Sequence, residues 1–384
     1  MCPVGAPVIH LGATSCFVTD NADGLIQRRA LQLVRQRLVQ LVRALARFAR
    51  QHADTPTLGY THFQVAQPTT AGKRAGLWLQ DTVWDLERVE ERLASLPCRG
   101  AKGTTGTQAS FLALFGGDDA KVLELERRLA ERLGFPRAVP LAGQTLPRKL
   151  EAWLTDALAG IGVTLGKLGR DVRLLCHTGE LREPFGKGQV GSSAMPYKQN
   201  PMRAERICAL SRLLLHHRNA LAEVAATQWL ERSLDDSATR RLSIPDAFLL
   251  ADGVLRAAVD LVAGLRVDEP LARARLAREA PFLAVETLLV RGVASGGDRQ
   301  ALHEALRKHA LAAREAEDPA AEFRRRLLAD DGFGIEPDEL DALLDPARLV
   351  GRAPAQVRAY LAEVVDPLLA ACADVPEARD PLQV

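Results

Sequence analysis

Aromatic side chains are scarce in this sequence, at 5% of 384 residues, and neither sign of charge dominates. Lys and Arg number 50 against 48 Asp and Glu, so the formal net charge is +2. Proteins that bind nucleic acids combine a positively charged surface with aromatic residues on which bases stack. The composition therefore argues against nucleic acid as a partner, and any recognition of anions has to come from local clusters.

The six cysteines are widely separated and form no C-x-x-C pair, so neither a disulfide framework nor a common zinc spacing is present. Reduced thiols are the expected state. No apolar run reaches the ~18 residues of a membrane-spanning helix, and the first residues lack the pattern of a signal peptide. We predict a cytoplasmic protein without a membrane partner. The sequence also lacks the phosphate-binding, dinucleotide-binding, H-E-x-x-H and G-x-S-x-G motifs.

Apolar residues at helical spacing are abundant instead. They recur in steps of three and four from Leu31 to Phe48, and a second stripe runs from Leu150 to Leu175. At 1.5 Å per residue the second stripe corresponds to a helix of about 40 Å. Four glycines interrupt it, which a helix tolerates where its neighbours pack closely. Further helices are predicted over residues 71–96, 118–134, 200–230 and 236–265.

No alternating strand pattern of useful length is present, so the predicted fold class is all-α. After about residue 266 the helices become shorter and more charged, and Gly and Pro divide them. We predict a central long-helix bundle over residues 15–266 and a smaller C-terminal helical domain over residues 267–384. Long glycine-lined helices often pack across subunits, so an oligomer is expected.

Two polar segments contain residues suited to proton transfer. Residues 186–201 combine three glycines, two prolines, Ser192 and Lys198, and a serine near a lysine in a mobile loop can act as a nucleophile or a base. The alternative is an ordinary surface loop. His62 lies among hydroxyl and amide side chains in the segment 59–70, and histidine is the usual proton donor near neutral pH. The alternative there is a hydrogen-bonded structural histidine.

A third segment, residues 228–241, contains Arg232, Arg240 and Arg241. Arginine binds carboxylate and phosphate groups through two parallel hydrogen bonds. Further cations lie in the serine loop, residues 186–201, and just after it, namely Lys198, Arg203 and Arg206. In a chain of net charge +2, this clustering favours a polyanionic small molecule as the ligand, whereas a solvated network at a helix end is the alternative.

The segment GSSAMPYKQNP, residues 191–201, resembles the signature loop of the fumarase/aspartase superfamily. Residues 10–15, 59–70, 102–111 and 231–237 narrow the resemblance to the adenylosuccinate lyase family, in particular its animal-type branch. The resemblance extends from about residue 3 to the C-terminal end.

This resemblance implies all-α homotetramers with a long-helix bundle, in which each active site is assembled from three subunits. It implies release of fumarate from adenylosuccinate, giving AMP, and from the succinylated carboxamide ribotide of purine synthesis. No metal or organic cofactor is implied. By motif position, His62 resembles the proton donor and Ser192 the base. The substrate-binding residues implied in the same way are Thr14, Ser15, Gln144, Lys198, Asn200, Arg206, Arg232, Ser237 and Arg241.

Removal of a proton beside a carboxylate builds a doubly negative aci-carboxylate, and that charge is the main barrier to such an elimination. Lys198, Asn200 and backbone N–H groups of the serine loop are the groups expected to stabilise it.

The sequence departs from the family pattern in three places. The family carries a further N-terminal helical domain with a histidine and an Arg-Tyr pair, so residues 1–14 are interpreted as a remnant of that domain. Val65 replaces a usual proline, and Gln199 replaces a usual basic residue. Two alternative functions stay open: a truncated, weakly active or inactive relative with a structural role, or another fumarate-releasing lyase of the superfamily.

Overall fold

The structure is a computed structural model that describes residues 3–186 and 188–378. Helices make up most of it. Their bounds are α1 Ser15–Gln51, α2 Ala71–Ser95, α3 Ala109–Leu114, α4 Asp119–Leu133, α5 Lys149–Thr178, α6 Met202–Thr227, α7 Asp236–Gly264, α8 Glu269–Leu283, α9 Val285–Ala294, α10 Arg299–Arg314, α11 Pro319–Leu328, α12 Pro337–Leu343, α13 Pro346–Leu349, α14 Ala353–Tyr360 and α15 Asp366–Ala371. A π-helical segment, Leu361–Val365, connects α14 to α15.

Helices α1, α2, α5, α6 and α7 pack into a bundle around one large apolar core. The stripe predicted in α5 is buried from Leu154 to Leu175. Two of its four glycines face neighbouring backbone: a Cβ on Gly162 would lie 3.1 Å from the Ser211 carbonyl oxygen, and one on Gly169 would lie 3.0 Å from that of Ala204. At these two positions the glycine permits the close helix packing that the sequence predicts.

Two short strand pairings accompany the helices, and the sequence did not predict them. Residues Pro56–Thr61 (β1) and Gln64–Thr70 (β2) pair as an antiparallel hairpin with an irregular register between Thr57 and Gly59. A second, two-residue pairing joins Leu181–Arg182 (β3) to Arg266–Val267 (β4). Burial does not alternate along the hairpin, since the adjacent residues Thr57 and Leu58 of β1 are both buried and the exposed residues gather towards the turn. Its sequence therefore lacks the alternation that a half-buried strand shows.

The bundle helices run between two ends that lie far apart. At the start of α5, Arg148 contacts Asp236 at the start of α7. Beyond the end of α5, Glu180 accepts a hydrogen bond from the Thr57 hydroxyl of β1 at 3.0 Å. Because α5 has 30 residues, these two ends are separated by about 45 Å.

A second apolar cluster of buried residues lies between Ala284 and Leu340, outside the bundle core. The chain then returns, and Val357, Leu361 and Val365 join the core of the bundle. The division of the chain at residue 266 and the interpretation of residues 1–14 stay predictions. Residues 1–2, 187 and 379–384 of the predicted segments lie outside the described residues. Across the described ranges, no helix is long and apolar enough to cross a bilayer.

Asp85 of α2 is a carboxylate that the bundle partly buries against α5. Its Oδ2 atom is inaccessible to solvent and has no hydrogen-bond partner within residues 3–186 and 188–378. A Cβ on Gly160 would lie 3.1 Å from its other oxygen. Burial, opposed by a hydrogen bond with Thr164 and assisted by the charge of nearby Asp81, raises the pKa of Asp85 to about 7.

We expect this carboxyl to destabilise the fold as the pH rises. The native chain keeps the Asp85 proton up to about pH 7, whereas an unfolded chain releases it near pH ~3.9. Native protein therefore binds more protons between these values, and stability falls as the pH increases through them. Asp85→Asn should reduce the loss in Tm between pH 5 and pH 8. Glu87→Gln, on an exposed position of α2, is the control, and an unchanged loss in the Asp85 variant would contradict the prediction.

Candidate active site

Four of the residues implicated in substrate binding meet at the start of α1. Thr14 immediately precedes the helix, and Ser15 is its first residue. Arg232 is exposed and donates from Nη1 to the Ser15 hydroxyl at 3.1 Å and to Oε1 of Gln144. Thr14 Oγ1 is buried, and no described residue hydrogen-bonds to it. Hydroxyls, an amide and a guanidinium in one place can bind an anionic ligand.

Close backbone contacts hold Gln144 against the 228–241 segment. The Gln144 N–H donates to the Glu231 carbonyl at 2.9 Å. Gly143 packs so closely that a Cβ there would lie 2.5 Å from the same carbonyl oxygen. Arg99, whose side chain is fully buried, donates from Nε to the Gln144 carbonyl at 2.6 Å. The sequence reasoning missed Arg99, because an arginine in a loop carries no pattern that shows it is buried.

Ser237 and Arg241 lie in the first two turns of α7, shortly after Arg232 in the chain. Four residues apart on a helix, they share one face. Ser237 is half-buried and Arg241 is exposed. A serine and an arginine near a helix N-terminus are suited to a phosphate or carboxylate group. We call the six residues at this end of the bundle the arginine end: Thr14, Ser15, Gln144, Arg232, Ser237 and Arg241.

His62 lies in the two-residue turn of the β1–β2 hairpin. It has φ 51°, and the next residue, Phe63, has φ 57°, a left-handed conformation that non-glycine residues rarely adopt. The histidine side chain is exposed. The hairpin below it is anchored because the Tyr60 hydroxyl donates to the buried carboxylate of Glu180. Burial and that carboxylate raise the pKa of Tyr60 to about 12, so Tyr60 stays a donor near neutral pH.

Ser192 lies in the loop between β3 and α6. Its Oγ accepts a hydrogen bond from the Met195 N–H at 3.1 Å. Asn200 closes the base of the loop, since its Nδ2 donates to the Gly191 carbonyl at 2.8 Å. A backbone donor to Oγ favours the ionised form of the hydroxyl, which suits a base.

Lys198 and Arg206 are exposed, one on the serine loop and the other in the first turns of α6. Together with the hairpin turn, these residues form what we call the loop end: His62, Ser192, Lys198, Asn200 and Arg206.

The structure does not bring the predicted site residues together within one chain. The arginine end lies where α1, α5 and α7 begin, and the loop end lies where α5 finishes and α6 begins. The two groups are therefore separated by roughly the length of α5, about 45 Å. Within residues 3–186 and 188–378, no single pocket can contain both groups.

Two of the arginines that the sequence suggested as ligand-binding have carboxylate partners inside the chain. Arg203 donates to Asp260 at 2.6 Å, with both side chains about 10% exposed. Arg240 donates to the buried carboxylate of Glu151. The cations open to a ligand are therefore fewer than the sequence predicts, and they divide between the two ends. Lys198 and Arg206 are exposed at the loop end, and Arg232 and Arg241 are exposed at the arginine end.

Two family models match this chain and indicate its class of enzyme. A family model described as lyase matches residues 6–213, and one described as adenylosuccinate lyase C-terminus matches residues 281–360. The fold and these matches define a fumarase-type lyase. The adenylosuccinate lyase of Saccharomyces cerevisiae is 45% identical over 368 residues, which cover 95% of this chain and 76% of the yeast protein. That of Schistosoma mansoni is 44% identical over 379 residues, or 96% of this chain and 78% of the relative.

The chain belongs to the adenylosuccinate lyase family. Solved structures agree in fold. A fumarate lyase from Mesorhizobium sp. BNC1 has a TM-score of 0.78 and 26% identity over 94% of this chain and 78% of that chain. The 3-carboxy-cis,cis-muconate lactonizing enzyme from Pseudomonas putida has a TM-score of 0.78 and 27% identity over 96% and 80%. The predictions of the family and of an all-α long-helix bundle are confirmed.

Proposed function

We propose that this protein is a carbon–nitrogen lyase that eliminates fumarate from adenylosuccinate, giving AMP, and from succinylaminoimidazole carboxamide ribotide in purine biosynthesis. Membership of the adenylosuccinate lyase family is the observation that carries the proposal. The arginine end supports it, because Arg232 and Arg241 are exposed cations suited to a substrate with a phosphate and two carboxylates.

In this mechanism Ser192 removes the proton on the carbon beside the carboxylate. The Met195 N–H that donates to its Oγ stabilises the ionised serine. Lys198 and Asn200 stabilise the aci-carboxylate that develops, and movement of the flexible loop closes the site against water. His62 protonates the departing purine nitrogen from the opposite side. Neither step calls for a metal or an organic cofactor.

The active protein is proposed to be a cytoplasmic homotetramer whose sites are shared between subunits. One chain places the arginine end and the loop end about 45 Å apart, so a complete site requires these two ends from different copies. Antiparallel packing of two bundles brings the arginine end of one copy to the loop end of another. The exposed apolar residues Trp84, Trp153 and Val163 on α2 and α5 are suited to such packing.

The function is tested with the purified chain and adenylosuccinate. We expect a steady change of absorbance as AMP and fumarate form, and we expect the protein to sediment at four times its chain mass of 41.7 kDa. A tetramer without turnover of either succinylated substrate would instead favour a structural relative. Turnover of another fumarate adduct in place of both substrates would favour a different lyase of the superfamily.

Arg232→Lys is expected to weaken substrate binding with little effect on Tm. Arg232 is exposed and bonds only polar groups of the arginine end in the described structure, so its loss leaves the core intact. Lysine keeps the charge but cannot form two parallel hydrogen bonds to a carboxylate or phosphate. We expect KM to rise about tenfold. A large fall in Tm with unchanged KM would show that Arg232 serves the fold.

A further inference from the structure

A buried ion network lies directly beneath the arginine end. Arg148, Asp20 and Asp236 each have side chains no more than 4% exposed. Arg148 donates from Nε to Asp236 Oδ2 at 2.7 Å and from Nη1 to Asp20 Oδ2 at 3.1 Å. The same Asp20 oxygen accepts from the Leu146 N–H at 2.7 Å. One guanidinium thus joins the start of α1, the approach to α5 and the start of α7.

Each segment in the network carries a residue of the arginine end. Asp236 immediately precedes Ser237, and Leu146 follows Gln144 by two residues. Asp20 lies in α1, whose first residue is Ser15. Arg148 therefore bonds directly to α1 and α7, and Asp20 in turn bonds the Leu146 N–H. These three segments carry the proposed substrate contacts.

A second layer supports the first. Arg240 donates from Nε to Glu151 Oε2 at 2.6 Å and from Nη2 to Asp23 at 3.2 Å. Gln27 donates to Glu151 at 3.3 Å. Four carboxylates thus surround two guanidinium groups. A buried ion network contributes little net stability compared with apolar packing, but its directional bonds restrict geometry.

We propose that Arg148, held by Asp20 and Asp236, is a positioning residue that sets the placement of Gln144 relative to Ser237 for substrate binding. This inference rests on the proposed function. Arg148 is covered by the residues around it and does not contact the substrate, so its effect passes through the residues it orients.

The variant Arg148→Lys tests the role in the full chain. Lysine keeps the positive charge, but its compact ammonium cannot reproduce the planar fork that joins two carboxylates on different helices. We expect KM for adenylosuccinate to rise about tenfold while kcat changes less than about threefold. In a Gln144→Ala background the same substitution should raise KM by less than about twofold, because residues acting through one another are not additive.

Arg37→Lys is the matched control. Arg37 donates to Asp252 at 2.9 Å and, like the network, joins α1 to α7. Its bridge lies about 25 Å along the helices from Asp236. We expect this variant to keep the wild-type KM. Asp236→Asn preserves the shape of the network and should raise KM in the same direction, so it decides the matter if Arg148→Lys does not fold.

Hydrogen exchange of the Leu146 amide supplies a readout that does not need activity. Arg148→Lys should speed this exchange, whereas Arg37→Lys should not. An active wild type whose Arg148 variant keeps both its KM and the slow Leu146 exchange would overturn the positioning role. A wild type without lyase activity would contradict the proposed function, and the exchange measurement would still decide whether Arg148 fixes residues 144–148.

Discussion

Ser192→Ala is expected to lower turnover by about 10²–10⁴-fold while leaving substrate binding nearly intact. The Ser192 hydroxyl oxygen accepts a hydrogen bond from the Met195 backbone N–H at 3.1 Å. That donor favours the ionised form and gives the serine its proposed basicity. The same variant should stop exchange of the substrate β-proton with deuterated solvent, which NMR follows directly.

Ser193→Ala is the matched control, since it removes an exposed hydroxyl from the next position of the same loop. We expect it to retain most of the turnover and the proton exchange. His62→Ala provides the complementary case, because loss of the acid should block AMP release while proton exchange persists. Normal turnover and exchange in Ser192→Ala would mean that the loop serine is not the base.

Mixing two inactive variants is expected to restore activity. His62→Ala damages the loop end and Arg232→Ala damages the arginine end. If each site takes these ends from different copies, random mixed oligomers contain about one site in four with both ends intact. We therefore expect activity to rise from near zero to about a quarter of the wild-type value after the two variants are unfolded together and refolded.

The control mixture combines Arg232→Ala with Gln144→Ala. These side chains contact each other within one chain, so every arginine end in the mixture carries a substitution and no recovery is expected. Native mass spectrometry confirms that mixed oligomers have formed. Mixed oligomers of the first pair that stay inactive would contradict the shared site.

Helical periodicity made the bundle predictable. The predicted ranges 71–96 and 236–265 differ by a residue from the observed bounds of α2 and α7, because long amphipathic segments bury one face at a spacing that is visible in the sequence. The β1–β2 hairpin lacked such a signal. Burial does not alternate along its strands, and the strands are held by backbone pairing, which carries no apolar pattern.

The charged residues show a similar division. The sequence alone does not distinguish Arg203, Arg232 and Arg240, since each of them fits an anion-binding hypothesis. The structure separates them by their partners, since Asp260 and Glu151 bind the first and third from elements far away in the chain. Burial and partner choice depend on long-range packing, so local sequence reasoning could not distinguish them.

The sequence by itself determined the helical class of this protein and the motifs that identify its family, because helix periodicity and a continuous loop such as residues 191–201 are local properties. Only the tertiary structure decided where those motifs lie. The antiparallel packing of α5 on α6 places Gln144 and Arg232 at one end of the bundle and His62 and Ser192 at the other. The physical reason is length: a rigid helix of 30 residues separates them, and its rise of ~1.5 Å per residue allows no single chain to close that distance.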